Sequence, residues 1–214
     1  MTAKSAYGTR PMKNDEGHTE GATAGDDVSG LLQESLVDRR DRDAAELEAI
    51  ARAYDKYVYR ARRKKAGAAW LTDELIRRVH FDMFGGIWDW GGRYRTGSTN
   101  IGVEWRQIPE QVARIIGDFE YWTSPKSGMS FLEIAARLQN RLTRVHPFKN
   151  GNGRHARLIT DIFFYSREHD LPKWPQLQRL PHGDRIRKQY LSAMKKADGE
   201  DYKDLMKFIE DCLV

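Results

Sequence analysis

The chain has 214 residues, with 36 Lys and Arg against 31 Asp and Glu for a formal net charge of +5. That length suits one domain of ordinary size. An apolar fraction of 40% with 8 Phe, 9 Tyr and 6 Trp supports one sizeable core, which excludes a wholly disordered chain. The single cysteine, Cys212, excludes an intrachain disulfide and a Cys-rich zinc site. No apolar run approaches the roughly 18 residues of a membrane span, and the first residues lack the apolar stretch of a secretory signal. A cytoplasmic protein that does not engage a membrane is the expectation.

The first 45 residues carry 6 basic and 9 acidic side chains, leaving 30 and 22 for the remainder, a net of +8. Residues 1–30 are rich in Gly, Thr, Ala and Asp, and Tyr7 is their one aromatic. Such a composition buries little, so residues 1–43 read as a mobile arm, or one that orders on a partner, ahead of a single domain over 44–214. From Ala44 the pattern turns helical. Leu47, Ile50, Ala51, Tyr54, Tyr57, Val58 and Ala61 recur at three- and four-residue steps. The basic cluster Arg60–Lys65 closes this helix at the negative end of its dipole, and Gly67 stops it.

A second helix is expected from Thr72, an N-cap followed by Asp73 and Glu74, with Leu71 and Ile76 as a hydrophobic staple. Its buried face is Leu75, Ile76, Val79, His80 and Met83, and Gly85-Gly86 ends it. Residues 87–107 mix glycines, β-branched residues and aromatics without helical period, which predicts a loop or short hairpin. Pro109 suits the first turn of the next helix, with Val112, Ile115, Ile116, Phe119 and Trp122 inside. Phe131, Ile134, Ala135, Leu138, Leu142 and Val145 form another stripe. Helices follow over about 153–168, 183–196 and 201–213. The fold class predicted is all-α with one small hairpin.

From Ile134 to Thr160 there is no Asp or Glu, yet Arg137, Arg141, Arg144, Lys149, Arg154 and Arg157 are present. A local excess of that size, straddling a Gly-rich turn, points to an anionic ligand. Pro147 forces His146 out of helical geometry, so the preceding helix ends in an imidazole. Gly151 and Gly153 allow close backbone approach at the start of a helix, whose free N–H groups bind anions. Arg154 and Arg157, three apart, lie on one helical face and add charge-assisted hydrogen bonds. A general base, an N–H nest, two arginines and the Asn150 oxygen thus converge, a set suited to a nucleotide's phosphates. Of the other histidines, His155 is expected at the surface and His80 as a hydrogen-bonded core residue. His18, His169 and His182 have no metal-ligand spacing.

The run His146-Pro147-Phe148-Lys149-Asn150-Gly151-Asn152-Gly153-Arg154-His155-Ala156-Arg157 resembles the signature of Fic (Fido) proteins, HPFx(D/E)GNGRxxR, matching eight of its nine specified positions. Trp88-Asp89-Trp90-Gly91-Gly92-Arg93-Tyr94-Arg95 is similar to the family's W-x-W-A-G-x-x-R segment ahead of its target-binding hairpin, the flap. The likeness covers about residues 70–210, and the layout also looks like the bacterial mobile mystery protein B group. The resemblance implies a Fic-type helical bundle with a short β-hairpin flap over about 94–107, and transfer of AMP from ATP to a Ser, Thr or Tyr hydroxyl of a target protein. His146 would be the general base. Phe148, Gly151, Asn152, Gly153, Arg154 and Arg157 would bind the nucleotide, with Arg154 stabilising developing charge and Arg157 holding the γ-phosphate. Magnesium would bridge phosphate oxygens, and the target would dock at the flap by strand addition.

Two departures carry consequences. Asn150 stands at the family's acidic magnesium position, and a neutral amide oxygen implies weaker metal affinity. A weaker adenylyltransferase, altered nucleotide or metal use, and a different transfer are all open on this residue; so is a fold that only binds partners. Secondly, no Ser or Thr is followed at the fourth position by Glu, so the family's inhibitory pattern S/T-x-x-x-E-G/N is absent. The chain in this respect resembles toxins whose inhibitory helix belongs to a separate antitoxin protein. A nucleic-acid-binding module is the remaining alternative, from the basic charge beyond residue 45. No groove-reading signature supports it.

Overall fold

The computed structural model describes residues 27–59, 70–177, 180–181 and 183–213. Among the described residues seven α-helices build the fold: α1 Arg39–Tyr54, α2 Asp73–Phe84, α3 Ile108–Trp122, α4 Phe131–Val145, α5 Asn152–Ser166, α6 Arg185–Asp198 and α7 Lys203–Asp211. Their starts are written in the sequence. Thr72 Oγ1 accepts from the Leu75 N–H, Ser130 from Glu133, and Asp184 from Ile186 and Arg187, each satisfying an N–H that has no partner within the helix. α4 and α5 pack on each other most extensively, and α3, α6 and α7 pack around α4. Phe84, Phe119, Phe148, Phe163 and Phe164 are fully buried among these helices.

The all-α expectation holds. The hairpin expected over 94–107 does not form: among the described residues this segment has one isolated bridge, Tyr94 to Phe148. The Arg95 side chain takes the carbonyls of Gly97 and Val103 across the loop, and Gly102 turns at φ 110°. A guanidinium therefore occupies acceptors that a strand partner would use.

α1 differs from its predicted stripe. Its buried positions are Arg42, Glu46, Ala49 and Ala53, whereas Leu47 is 49% exposed. Hydrophobicity alone misplaced the face because two buried positions are charged and fully employed. Arg42 donates to the carbonyls of Leu36 and Val37, and Glu46 reaches the site described below. The helix ends in a π-helical turn over Asp55–Tyr59, anchored where Lys56 and Tyr57 both donate to Asp82 of α2. The cluster Arg60–Lys65, Gly67, His18, His182 and most of the proposed arm lie outside the described residues.

The arginines of α4 serve the fold. Arg137 pairs with Glu133 and lies over Tyr202, Arg141 pairs with Glu200 at 3.0 Å, and Arg144 donates to the Asp198 carbonyl at 3.0 Å. They seat the corner between α6 and α7, where Glu200 adopts φ 68° and the last carbonyls of α6 need donors. The charge excess at this end of the run is thus spent inside the protein, and the anionic ligand predicted for it is corrected to the part beyond Pro147.

Candidate functional site

α4 stops at Val145, where Pro147 denies His146 helical geometry, and His146 takes the left-handed conformation, φ 51° and ψ 59°, rather than the extended one a following proline favours. A non-glycine residue there costs roughly 1–2 kcal/mol, so its surroundings must impose it. Arg95 does so. Its guanidinium donates to the carbonyls of His146 at 2.7 Å, Val103 at 2.5 Å, Gly97 at 2.9 Å and Val145 at 3.5 Å. One side chain thereby satisfies the last carbonyls of α4 and fixes the base of the 96–103 loop to them. Gly102 presses against the same place: a Cβ on it would sit 2.7 Å from the His146 Cβ.

The His146 imidazole is buried, and its Nδ1 has no hydrogen-bond partner among the described residues. Burial lowers its pKa to about 4; the Arg95 charge acts in the same direction, and the nearby Thr143 carbonyl opposes weakly. The ring is neutral at physiological pH and able to accept a proton.

Residues 148–152 form a closed turn. The Asn152 side chain accepts from the Phe148 N–H and donates to the Phe148 carbonyl, both at 2.9 Å. Gly151 turns at φ 77°, and a Cβ on it would meet the Phe84 ring at 2.5 Å, so only glycine fits. α5 then starts, and its first intrahelical bond runs from the His155 N–H to the Gly151 carbonyl. The N–H groups of Asn152, Gly153 and Arg154 precede that bond and carry the positive end of the helix dipole. Arg154 lies over the Phe84 ring at 4.8 Å. The Arg157 guanidinium comes within 3.7 Å of where a Gly153 Cβ would be, so it leans towards the same helix end.

The structure therefore gathers Gly151, Asn152, Gly153, Arg154 and Arg157 at one helix N-terminus, with His146 on the preceding turn. Phe148 is different: it is fully buried with its ring stacked on His80 at 3.6 Å, and it supports the turn from inside. Asn150 is half-buried, and its Oδ1 already accepts from the Gly151 N–H at 2.7 Å. As a donor set for magnesium this is one neutral oxygen with a lone pair to spare. It fits an ion held mainly by nucleotide phosphates. His155, expected at the surface, is buried and hydrogen-bonded to the Ile76 carbonyl of α2 at 2.9 Å, because its face of α5 packs on that helix.

Glu46 was not foreseen. Its carboxylate is buried, accepts from Trp88 Nε1 at 2.7 Å and pairs with Arg154 at 2.5 Å. The inhibitory pattern fails here, with Arg42 in place of Ser or Thr and Leu47 in place of Gly or Asn, and yet a carboxylate from α1 engages the first arginine of the motif. Pattern matching misses it because the contact depends on how α1 crosses the site. A second contact comes from further upstream, where Lys149 binds the Ser29 carbonyl and hydroxyl and the Asp27 carboxylate. Gly30 and Leu32 meanwhile hydrogen-bond the backbone at Asp89 and Ile87.

Residues 70–164 match a family model described as the Fic/DOC family. A protein adenylyltransferase Fic of Drosophila mojavensis is 29% identical over 143 residues, which make up 65% of this chain and 26% of that protein. The chain thus spans about a quarter of the length of the curated relatives it matches. Among solved structures, a Fic domain containing signaling protein from Bacteroides thetaiotaomicron superposes with a TM-score of 0.63 at 19% identity, over 78% of this chain and 68% of that one. BepC protein from Bartonella tribocorum, a VirB-translocated effector with bound AMPPNP, gives 0.55 at 16% identity over 84% and 90%. At these identities the structural likeness establishes the fold.

Proposed function

We propose, from the match of residues 70–164 to the Fic/DOC family model, that the chain is a nucleotidyltransferase moving AMP from ATP to a hydroxyl of a target protein. The observation that carries the reading is a buried, neutral His146 on the turn directly ahead of an anion-binding helix start. The name protein adenylyltransferase on the relatives and the AMPPNP in one structural neighbour support ATP as co-substrate.

In this reading the triphosphate lies on the N–H groups of residues 152–154, with Arg154 and Arg157 as its cationic partners. His146 takes the proton of a Ser, Thr or Tyr hydroxyl. The freed oxygen attacks the α-phosphorus, the bond to the bridging oxygen breaks, and pyrophosphate leaves. Arg154 and the helix N–H groups stabilise the charge gathered on the phosphoryl oxygens. Magnesium, when bound with ATP, would offset charge on the leaving pyrophosphate, with Asn150 Oδ1 as the side-chain oxygen beside it. The target segment lies along 96–103, whose base Arg95 ties to His146.

Arg154 cannot serve phosphate fully while paired with Glu46, so the described arrangement is a restrained one. We take the working unit to begin ahead of α1, because Gly30 and Leu32 bond to the backbone at Asp89 and Ile87 and α1 starts at Arg39, in place of the boundary at 43/44 expected from composition; a separate antitoxin is a further control, and the cytoplasm its place of action. A phosphotransferase is the second reading, favoured by the neutral Asn150.

The test is transfer in bacterial lysate with magnesium and ATP labelled at the α-phosphate, with His146→Ala as control. A labelled protein that disappears with the variant is the expected result. Label that transfers only from the γ-phosphate selects the second reading.

A further inference from the structure

A fully buried histidine needs a partner for each ring nitrogen, and the two partners of His80 lie on different segments of the site. It sits in the middle of α2 with no exposed surface. The Gly92 N–H donates to Nδ1 at 2.9 Å, and Nε2 lies 3.0 Å from the Asn150 carbonyl. Because Nδ1 accepts, the proton is on Nε2, and the neutral ring donates to Asn150. Its face stacks on Phe148 with the ring planes 11° apart. Filling the core explains the burial, but an apolar side chain would fill it as well. What an apolar residue could not do is hold these two backbone groups. Gly92, at φ 70°, begins the segment leading to Arg95; the Asn150 carbonyl belongs to the peptide that ends in the Gly151 N–H.

We propose that His80 is a positioning residue for the nucleotide-binding turn: its Nε2–H fixes the plane of the Asn150–Gly151 peptide, and with it the direction in which the first N–H groups of α5 point. The inference rests on the reading of this turn as the ATP site. Without that bond the turn has to be ordered by the ligand, which weakens binding without removing any group that touches it.

Two substitutions separate the bond from the burial. His80→Gln can offer an amide N–H near the Nε2 position and so keep the donor to Asn150. His80→Asn offers an oxygen near Nδ1, keeping the acceptor for Gly92 and losing that donor. Both lose the ring stack and should melt earlier by similar amounts. Binding of AMPPNP with magnesium, measured by calorimetry on the full chain, is expected to weaken roughly tenfold in His80→Asn and to stay within about threefold of the parent in His80→Gln. Hydrogen exchange of the amides at 151–154 should quicken in the Asn variant alone. Equal losses in both variants, or unchanged binding and exchange in His80→Asn, would overturn the proposal. If the parent chain binds no AMPPNP, the ATP reading of the site fails, and the exchange data still decide whether His80 pins the turn.

Discussion

A histidine ordinarily titrates near 6.5, and a base with that value would lose activity in mildly acidic solution. His146 is brought to about 4 by burial first and Arg95 second. With His146 as the proposed general base the neutral ring is the active form, so kcat/KM should be flat through neutral pH and fall only as pH drops through about 4–5. Arg95→Met should move that acid limb upward and lower the rate by tenfold or more, because four carbonyls lose their donor. Arg95→Lys keeps the charge but not the fork, so the limb should stay while the rate falls. Profiles of the three proteins distinguish these effects. At Asn150 the expected gain is in metal use: Asn150→Asp should lower the half-saturating magnesium concentration roughly tenfold, and an unchanged titration would remove this residue from the metal site. His146, the glycines and both motif arginines were legible from spacing and the rigid chemistry of Pro147. Glu46 and the buried state of His155 were not, because each depends on a partner distant in sequence.

Among the elements, α1 is the one whose removal would expose the site most directly. Its Glu46 occupies Arg154, and its exit is anchored by Lys56 and Tyr57 on Asp82. Glu46→Gln keeps an acceptor for Trp88 and removes the charge. Affinity for ATP, read by calorimetry, should rise several-fold and transfer with it; unchanged affinity would mean that phosphate and Glu46 do not compete for Arg154. Helix existence was legible throughout, since the stripes of α3, α4 and α5 are apolar and Thr72 caps where it should. The face of α1 was misread because its inward side carries Arg42 and Glu46. The hairpin was misread because a side chain, Arg95, takes the place of a strand partner. Arg141 and Arg144 of α4 read as ligands from sequence, whereas their acceptors lie more than 50 residues away, at the α6–α7 corner.

For the whole molecule, buried ionisable groups set the pH range of stability. His80, His146 and His155 all have lowered pKa values, chiefly through burial. Asp161, buried and accepting from Trp174 Nε1, is pushed up to about 8. Below 6.5 the unfolded chain binds up to three more protons at the histidines, and the folded chain binds one more at Asp161. Stability should therefore fall with acid at up to about 2.7 kcal/mol per pH unit for the two net protons. Between about 7 and 8 the Asp161 term acts alone and stability falls as pH rises, so the maximum lies near pH 7. Urea denaturation from pH 5 to 9 checks this, and Asp161→Asn should remove the alkaline decline. The grip of Arg95 has a bearing on divergence as well. All four of its acceptors are backbone carbonyls, which every amino acid possesses. The side chains between residues 96 and 103, the segment proposed to meet the target, can thus be rewritten while Gly102 and Arg95 preserve the histidine's pose. On the proposed reading, recognition can drift at no cost to the chemistry it serves.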